Sequence, residues 1–171
     1  PPSPLLRLLY NNYLLIDKQI ITDIVSRVIA DTDAFITDIT VTPANDITVE
    51  LDAITGVDLD FCTLVNRAIE QALDRDVEDY SLEVGSASLS APLKVPQQYE
   101  KHLGDTMDVL TADGRKLRGT LAAVSPETMS FTLNVPTKVK EPGAKRPVTV
   151  DTPVDLLMAD CRSVTYHFDF K

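Results

Sequence analysis

The sequence predicts an α+β chain in two parts. An α-β-β-α-β two-layer sandwich over residues 17–84 is followed by a small five-stranded β-barrel over 96–171, with a linker at 85–95. Three observations carry this reading. Helical periodicity is concentrated in the first half, while the second half consists of short alternating segments separated by turns. Charge is divided unequally: Asp17 to Gln98 holds 16 acidic and 5 basic residues, whereas Tyr99 to Lys171 holds ten of each. Between them "GSASLSAPL" carries no charge in a chain that is 25% charged, which marks a boundary.

The elements follow in order. The opening stretch "PPSPLLRLLYNNYLL" lacks the charged start and small-residue cleavage site of a signal peptide. Residues 1–16 read as a poorly ordered extension or cloning remnant, with Asp17 near the start of the fold. From Lys18 to Ala30, Ile20, Ile21, Ile24, Val25, Val28 and Ile29 recur at helical spacing. "FITDITVT" alternates as a strand. Pro43 to Asp46 makes a turn, and Ile47, Val49 and Leu51 form the return strand of a hairpin. Gly56 breaks the chain, and the Asp58 carboxylate can cap the free amides of a second helix carrying Leu59, Cys62, Val65, Ile69, Ala72 and Leu73. "DYSLEV" is the third strand.

In the second part, Pro96 opens a short helix ended by Gly104. "TMDVLT" and "KLRGTLAAV" flank a tight Asp113-Gly114 hairpin turn. "MSFTLNV", "RPVTVDT" and "RSVTYHFDF" complete five strands. Strands this short close most readily into a barrel of the SH3-like or Sm-like kind.

Chemistry is sparsely marked. The sequence has no GxGxxG, no phosphate-cradling loop and no GxSxG elbow. The run Asp74, Asp76, Glu78, Asp79 resembles the opening of a calcium loop, but the sixth and twelfth positions hold Asp79 and Gly85 where Gly and Glu are needed. It reads instead as a solvated helix end. Asp58 and Asp60 are close enough to pair for acid–base work, yet capping already accounts for Asp58. His102 and His167 show no partner acid or nucleophile at a suggestive spacing. Cys62 and Cys161 read as reduced thiols, and with two cysteines and two histidines far apart no zinc site is outlined. No cofactor, metal, small-molecule substrate or catalytic residue is expected. No uninterrupted apolar run is long enough to span a bilayer.

The positive feature is basic. The loop "PTKVKEPGAKRP" carries Lys138, Lys140, Lys145 and Arg146, a set suited to RNA phosphate. Arg115 and Lys116, at the hairpin turn, join them as candidate contacts. The acidic first part repels bare phosphate and suits a basic protein partner. Without interleaved aromatics, sequence-specific reading of RNA is not expected.

The stretch "YSLEVGSASLSAPLKVPQQYEKHLGDTMDVLTADGRKLRGTLAAV" resembles the signature region of the bacterial ribosome maturation factor RimP family. Leu82, Glu83, Val84, Ser86, Leu89, Pro92, Leu93, Tyr99, Gly104, Gly119 and Leu121 fall on its pattern. "ITVELDAITGVDLDFCTLVNRAIEQALD" is similar to the family's hairpin, acidic cap and Cys-bearing helix, and "CRSVTYHFDF" to its closing strand. Ala87 and Ser88 stand where the family has Pro-Gly, and Ser90 and Ala91 where it has an acid and a base. The resemblance implies an N-terminal α/β domain and a C-terminal Sm-like or SH3-like barrel. It also implies a cytoplasmic, monomeric, non-enzymatic factor for assembly of the small (30S) ribosomal subunit, contacting a decoding-centre ribosomal protein and small-subunit rRNA. Gly85, Ser86, Ala87, Ser88, Leu89 and Pro92 are then the candidate hinge. A general Sm-like RNA-binding module and an enzyme of unknown type are the rival readings.

Overall fold

The computed structural model describes residues 16–169, and the expectation for residues 1–15 lies outside them. The chain divides after Ala87 into two compact units.

The first unit runs α1 (Lys18–Ile29), β1 (Ala34–Val41), β2 (Asp46–Ala53), α2 (Leu59–Ala72) and β3 (Ser81–Ser86). Asp17 starts α1 by accepting the Ile20 N–H at 2.8 Å, and Asp58 starts α2 by accepting that of Phe61 at 2.8 Å. Both satisfy amides that the first helical turn leaves unpaired. β1 and β2 pair antiparallel as a hairpin. β3 pairs parallel to β2, a geometry that requires a crossover, and α2 supplies it. The sheet order is therefore β1-β2-β3. Ile21, Val25 and Ile29 of α1 and Val65 and Ile69 of α2 meet Ile39, Ile47, Val49 and Leu51 of the sheet in one buried core. Both helices thus cover the same sheet face.

Asn45 holds the parallel strand in place. It sits at φ 61° in the β1–β2 turn, a left-handed conformation that Asn tolerates. Its Nδ2 donates to Glu78 Oε1 (2.7 Å) and to the Asp79 carbonyl (3.2 Å), and its own carbonyl accepts the Ser81 N–H (3.0 Å). The acidic run before β3 is likewise structural: the Asp74 carboxylate accepts the Asp76 N–H, and Arg75 lies over the Tyr80 ring while donating to the Tyr80 carbonyl.

The second unit contains α3 (Pro96–Lys101), β4 (Thr106–Thr111), β5 (Lys116–Ser125), β6 (Ser130–Val139), β7 (Val148–Leu157), a 3₁₀ turn (Met158–Asp160) and β8 (Cys161–Tyr166). The five strands form an antiparallel sheet in the order β7-β6-β5-β4-β8. Met107, Val109, Leu121, Phe131, Leu133 and Val164 are its core, and Tyr99 of α3 stacks on Phe131 with ring centroids 5.2 Å apart.

Three strand assignments in this unit change. β6 and β7 are longer than expected, because both run through prolines, Pro136 and Pro153. Pro153 is tolerated on an edge strand, where a missing N–H need not interrupt a ladder. Pro136 pairs with Asp151 beyond the last β5–β6 pair, Thr120 with Asn134. Conversely β8 ends at Tyr166, with His167 adding one further bond to the Thr106 carbonyl.

Candidate functional site

The longer β6 and β7 change the meaning of the basic loop. Residues 136–139 pair only with 148–151, so the segment is a two-stranded arm rather than a loop hung from the sheet. Lys138 belongs to β6, while Lys140, Lys145 and Arg146 lie in the connection at the tip, and all four are exposed. The face carrying Val139, Val148 and Val150 is also exposed. Sequence patterning placed 148–151 in a strand, within "RPVTVDT", but missed its partner 136–139 because proline and lysine weigh against a strand when no register is known.

Arg115 and Lys116 lie at the β4–β5 hairpin, where Gly114 takes φ 89° and its N–H donates to the Thr111 carbonyl at 3.0 Å. The Arg115 Nε contacts Asp113 Oδ2 at 3.2 Å, so Arg115 is already engaged, whereas Lys116 is an exposed strand residue. Thr111 also hydrogen-bonds Asp113. That bond, offset in part by burial and reinforced by Arg115, holds the Asp113 carboxyl below the usual range.

The candidate hinge falls partly within regular structure. Gly85 and Ser86 are paired in β3, and the Ala87 N–H donates to the Leu51 carbonyl at 2.8 Å. Leu93 donates to the Val164 carbonyl at 2.9 Å. Between them the Ala91 N–H bonds the Ser88 carbonyl (3.1 Å), and the Ser88 and Ser90 hydroxyls meet at 2.9 Å, forming a serine-stabilised turn. The segment without sheet bonds is therefore Ser88–Pro92. The small uncharged residues that marked the boundary are half strand and half turn.

The histidine reading is corrected. His102 is buried, with Nδ1 2.9 Å from Asp105 Oδ2, and His167 Nδ1 lies 2.9 Å from Asp108 Oδ2. Asp105 sits three residues from His102 and was visible in the sequence; Asp108 lies 59 residues from His167 and needed the β4–β8 register. Arg118 Nε contacts the other oxygen of Asp108 at 2.6 Å. Partial burial raises the Asp108 pKa, but hydrogen bonds and charge from Arg118 and His167 outweigh it and leave the carboxyl below the ordinary value of 3.8. Thr165 and Asp108 share the outer face of the sheet with Lys116 and Arg118.

Cys62 and Cys161 are free; burial, followed by the neighbouring Asp58 and Asp160 charges respectively, pushes both thiols up. Among the described residues no group of three or more His, Cys, Asp or Glu side chains is placed to hold a metal ion. No helix among them is long and apolar enough to cross a membrane.

A family profile for the RimP N-terminal domain matches residues 24–89. The chain is 40% identical over 148 residues to the ribosome maturation factor RimP of Porphyromonas gingivalis, covering 86% of this chain and 96% of that protein. It is 36% identical over 126 residues to the protein of the same name from Christiangramia forsetii, covering 74% and 80%. With Flavobacterium psychrophilum the figure is 36% over 107 residues, 61% of this chain and 69% of the relative. With near-complete coverage of a 40% identical relative and both units included, the chain belongs to the ribosome maturation factor RimP family.

Proposed function

We propose that the protein is a non-catalytic factor in ribosome maturation that acts on the small (30S) subunit while it is immature. The observation that carries this is the match to proteins named ribosome maturation factor over 96% and 80% of their lengths, which spans both units rather than one portable module. The charge division supports it. A first unit rich in carboxylates attracts a basic ribosomal protein, and the Lys138–Arg146 arm of the second unit attracts rRNA phosphate. In this reading Arg115 and Lys116 join the arm as rRNA contacts, and Ser88–Pro92 is the hinge. The protein works as a cytoplasmic monomer, and neither cofactor nor small-molecule substrate is involved.

The five-stranded sheet is, in this proposal, a closed SH3-like or Sm-like barrel. Its edge strands β7 and β8 are joined by only the three residues Met158–Asp160 in 3₁₀ conformation. Such a turn advances about 2 Å per residue. The edges of a flat five-stranded sheet stand roughly 19 Å apart. Three residues do not bridge that gap unless the sheet rolls its edges together.

Complementation tests the function. In a bacterium lacking its own family member, this chain is expected to restore a normal ratio of mature small subunits to precursors. Unchanged accumulation of precursors, with the protein folded and expressed, would contradict the proposal.

A further inference from the structure

The outer face of the second unit's sheet carries a trough that the arm does not include. β4 forms its floor with Asp108 and Leu110, β5 one wall with Lys116 and Arg118, and β8 the other with Ser163 and Thr165. Its volume is about 430 Å³. The register places these residues on one face: Asp108 lies opposite Arg118 and Thr165, and Leu110 opposite Lys116 and Ser163.

The cations are arranged rather than scattered. Lys116 and Arg118 are two residues apart on one strand face, about 6.8 Å along the strand, on the scale of successive phosphates in an extended strand of nucleic acid. Arg118 is held through its Nε by Asp108, which leaves both terminal amino groups of the guanidinium to donate outward. Asp108 is in turn held on its other oxygen by His167. Its charge is answered within the network, so it acts as an anchor for Arg118 more than as a repulsive group. Across the floor, roughly 10 Å away, Ser163 carries a hydroxyl, while the Thr165 hydroxyl donates to the Asp108 carbonyl at 3.5 Å.

We propose that this trough binds the sugar–phosphate backbone of single-stranded RNA, with Arg118 as the positioned phosphate ligand, Lys116 as a second cation and Asp108 and His167 as positioning residues. The inference rests on the rRNA-contacting function proposed above and adds a second, built site to the arm. Among the described residues no aromatic ring lines the trough, so it follows the backbone without selecting bases. Fork-like donation by arginine favours phosphate, and the chemistry differs from that of a lysine-rich surface.

The test is fluorescence anisotropy of a labelled 12-nucleotide oligouridylate with the full chain at low salt. Arg118→Lys keeps the charge and removes the fork; about a tenfold weaker binding is expected. Asp108→Asn removes a negative charge, so general electrostatics predicts tighter binding, whereas loss of the anchor predicts weaker binding. Binding that tightens or stays level in Asp108→Asn, with Arg118→Lys also unmoved, overturns the proposal. So does equal displacement of the RNA by polyglutamate, which would show an unspecific anion surface. Arg118 is an exposed side chain, so its variant tests binding without risk to folding. Sedimentation with precursor subunits is run on the same proteins. Wild-type migration with precursors beside unmoved RNA affinity in both variants sinks the trough alone. Failure of the wild type to migrate sinks the assembly reading, and the anisotropy still decides the trough.

Discussion

A side chain at position 119 would meet the backbone of Asn134: a Cβ built on Gly119 lies 2.3 Å from the Asn134 carbonyl oxygen and 3.1 Å from the Val135 Cα. Gly119 is buried on the same side of β5 as Leu117 and Leu121, so β6 crosses β5 on its core side there. The β5–β6 pairing stops at Thr120 with Asn134, and the arm departs beyond it. Glycine at this position is therefore a requirement for space. Because the obstructing atoms are backbone, they cannot rotate away.

Gly119→Ala is expected to destabilise the protein by about 3 kcal/mol, the upper part of the range for overpacking. Gly85→Ala is the control, since nothing lies within 4 Å of its added Cβ; its effect is expected within about 0.5 kcal/mol. Urea unfolding of both variants makes the comparison. Equal midpoints would contradict the close crossing.

Asn45 combines a left-handed backbone with bonds that hold the start of β3. Asn45→Ala is expected to cost about 2 kcal/mol, from backbone strain and lost hydrogen bonds together. Asn45→Gly, which accepts φ 61° freely, should recover part of that loss. Thermal melts would show this as the order wild type, Gly, Ala.

Asp108 gives a pH signature. Its folded pKa lies below the ordinary 3.8, so its contribution is present above that value and is lost as pH falls through the lower folded value. The stability difference between wild type and Asp108→Asn should therefore close in the acid range below about pH 4. Urea midpoints across that range test the sign; a gap that widens in acid would contradict it.

The arm makes no contribution to the core, so reversing Lys138, Lys140, Lys145 and Arg146 to Glu should leave unfolding within about 0.5 kcal/mol of wild type. Binding to precursor subunits should fall sharply, and the salt dependence should flatten by about 0.7–0.9 in slope per lost phosphate contact. An unaltered salt slope would place the rRNA contacts elsewhere.

Much of the architecture was legible because local chemistry and long-range pairing agree. Asp17 and Asp58 precede amphipathic runs, and "TMDVLT" begins and ends where β4 does. The β6 half of the arm and the later half of β7 were hidden because Pro136 and Pro153 are local vetoes that an edge position cancels, and edge position is a property of the whole sheet. Gly85 and Ser86 read as linker because small residues carry no periodicity, while their pairing with Glu50 and Leu51 depends on a parallel register. For the same reason the Arg118–Asp108–His167 network could not be found by spacing: β5, β4 and the residue that follows β8 contribute to it, and only pairing places them side by side.

The most direct measurement is sedimentation of the purified chain with small subunits from a strain lacking its family member, beside mature small subunits and naked rRNA. The account predicts preferential co-migration with the immature particles. Equal binding to mature subunits and naked RNA would contradict it and favour a general RNA-binding module.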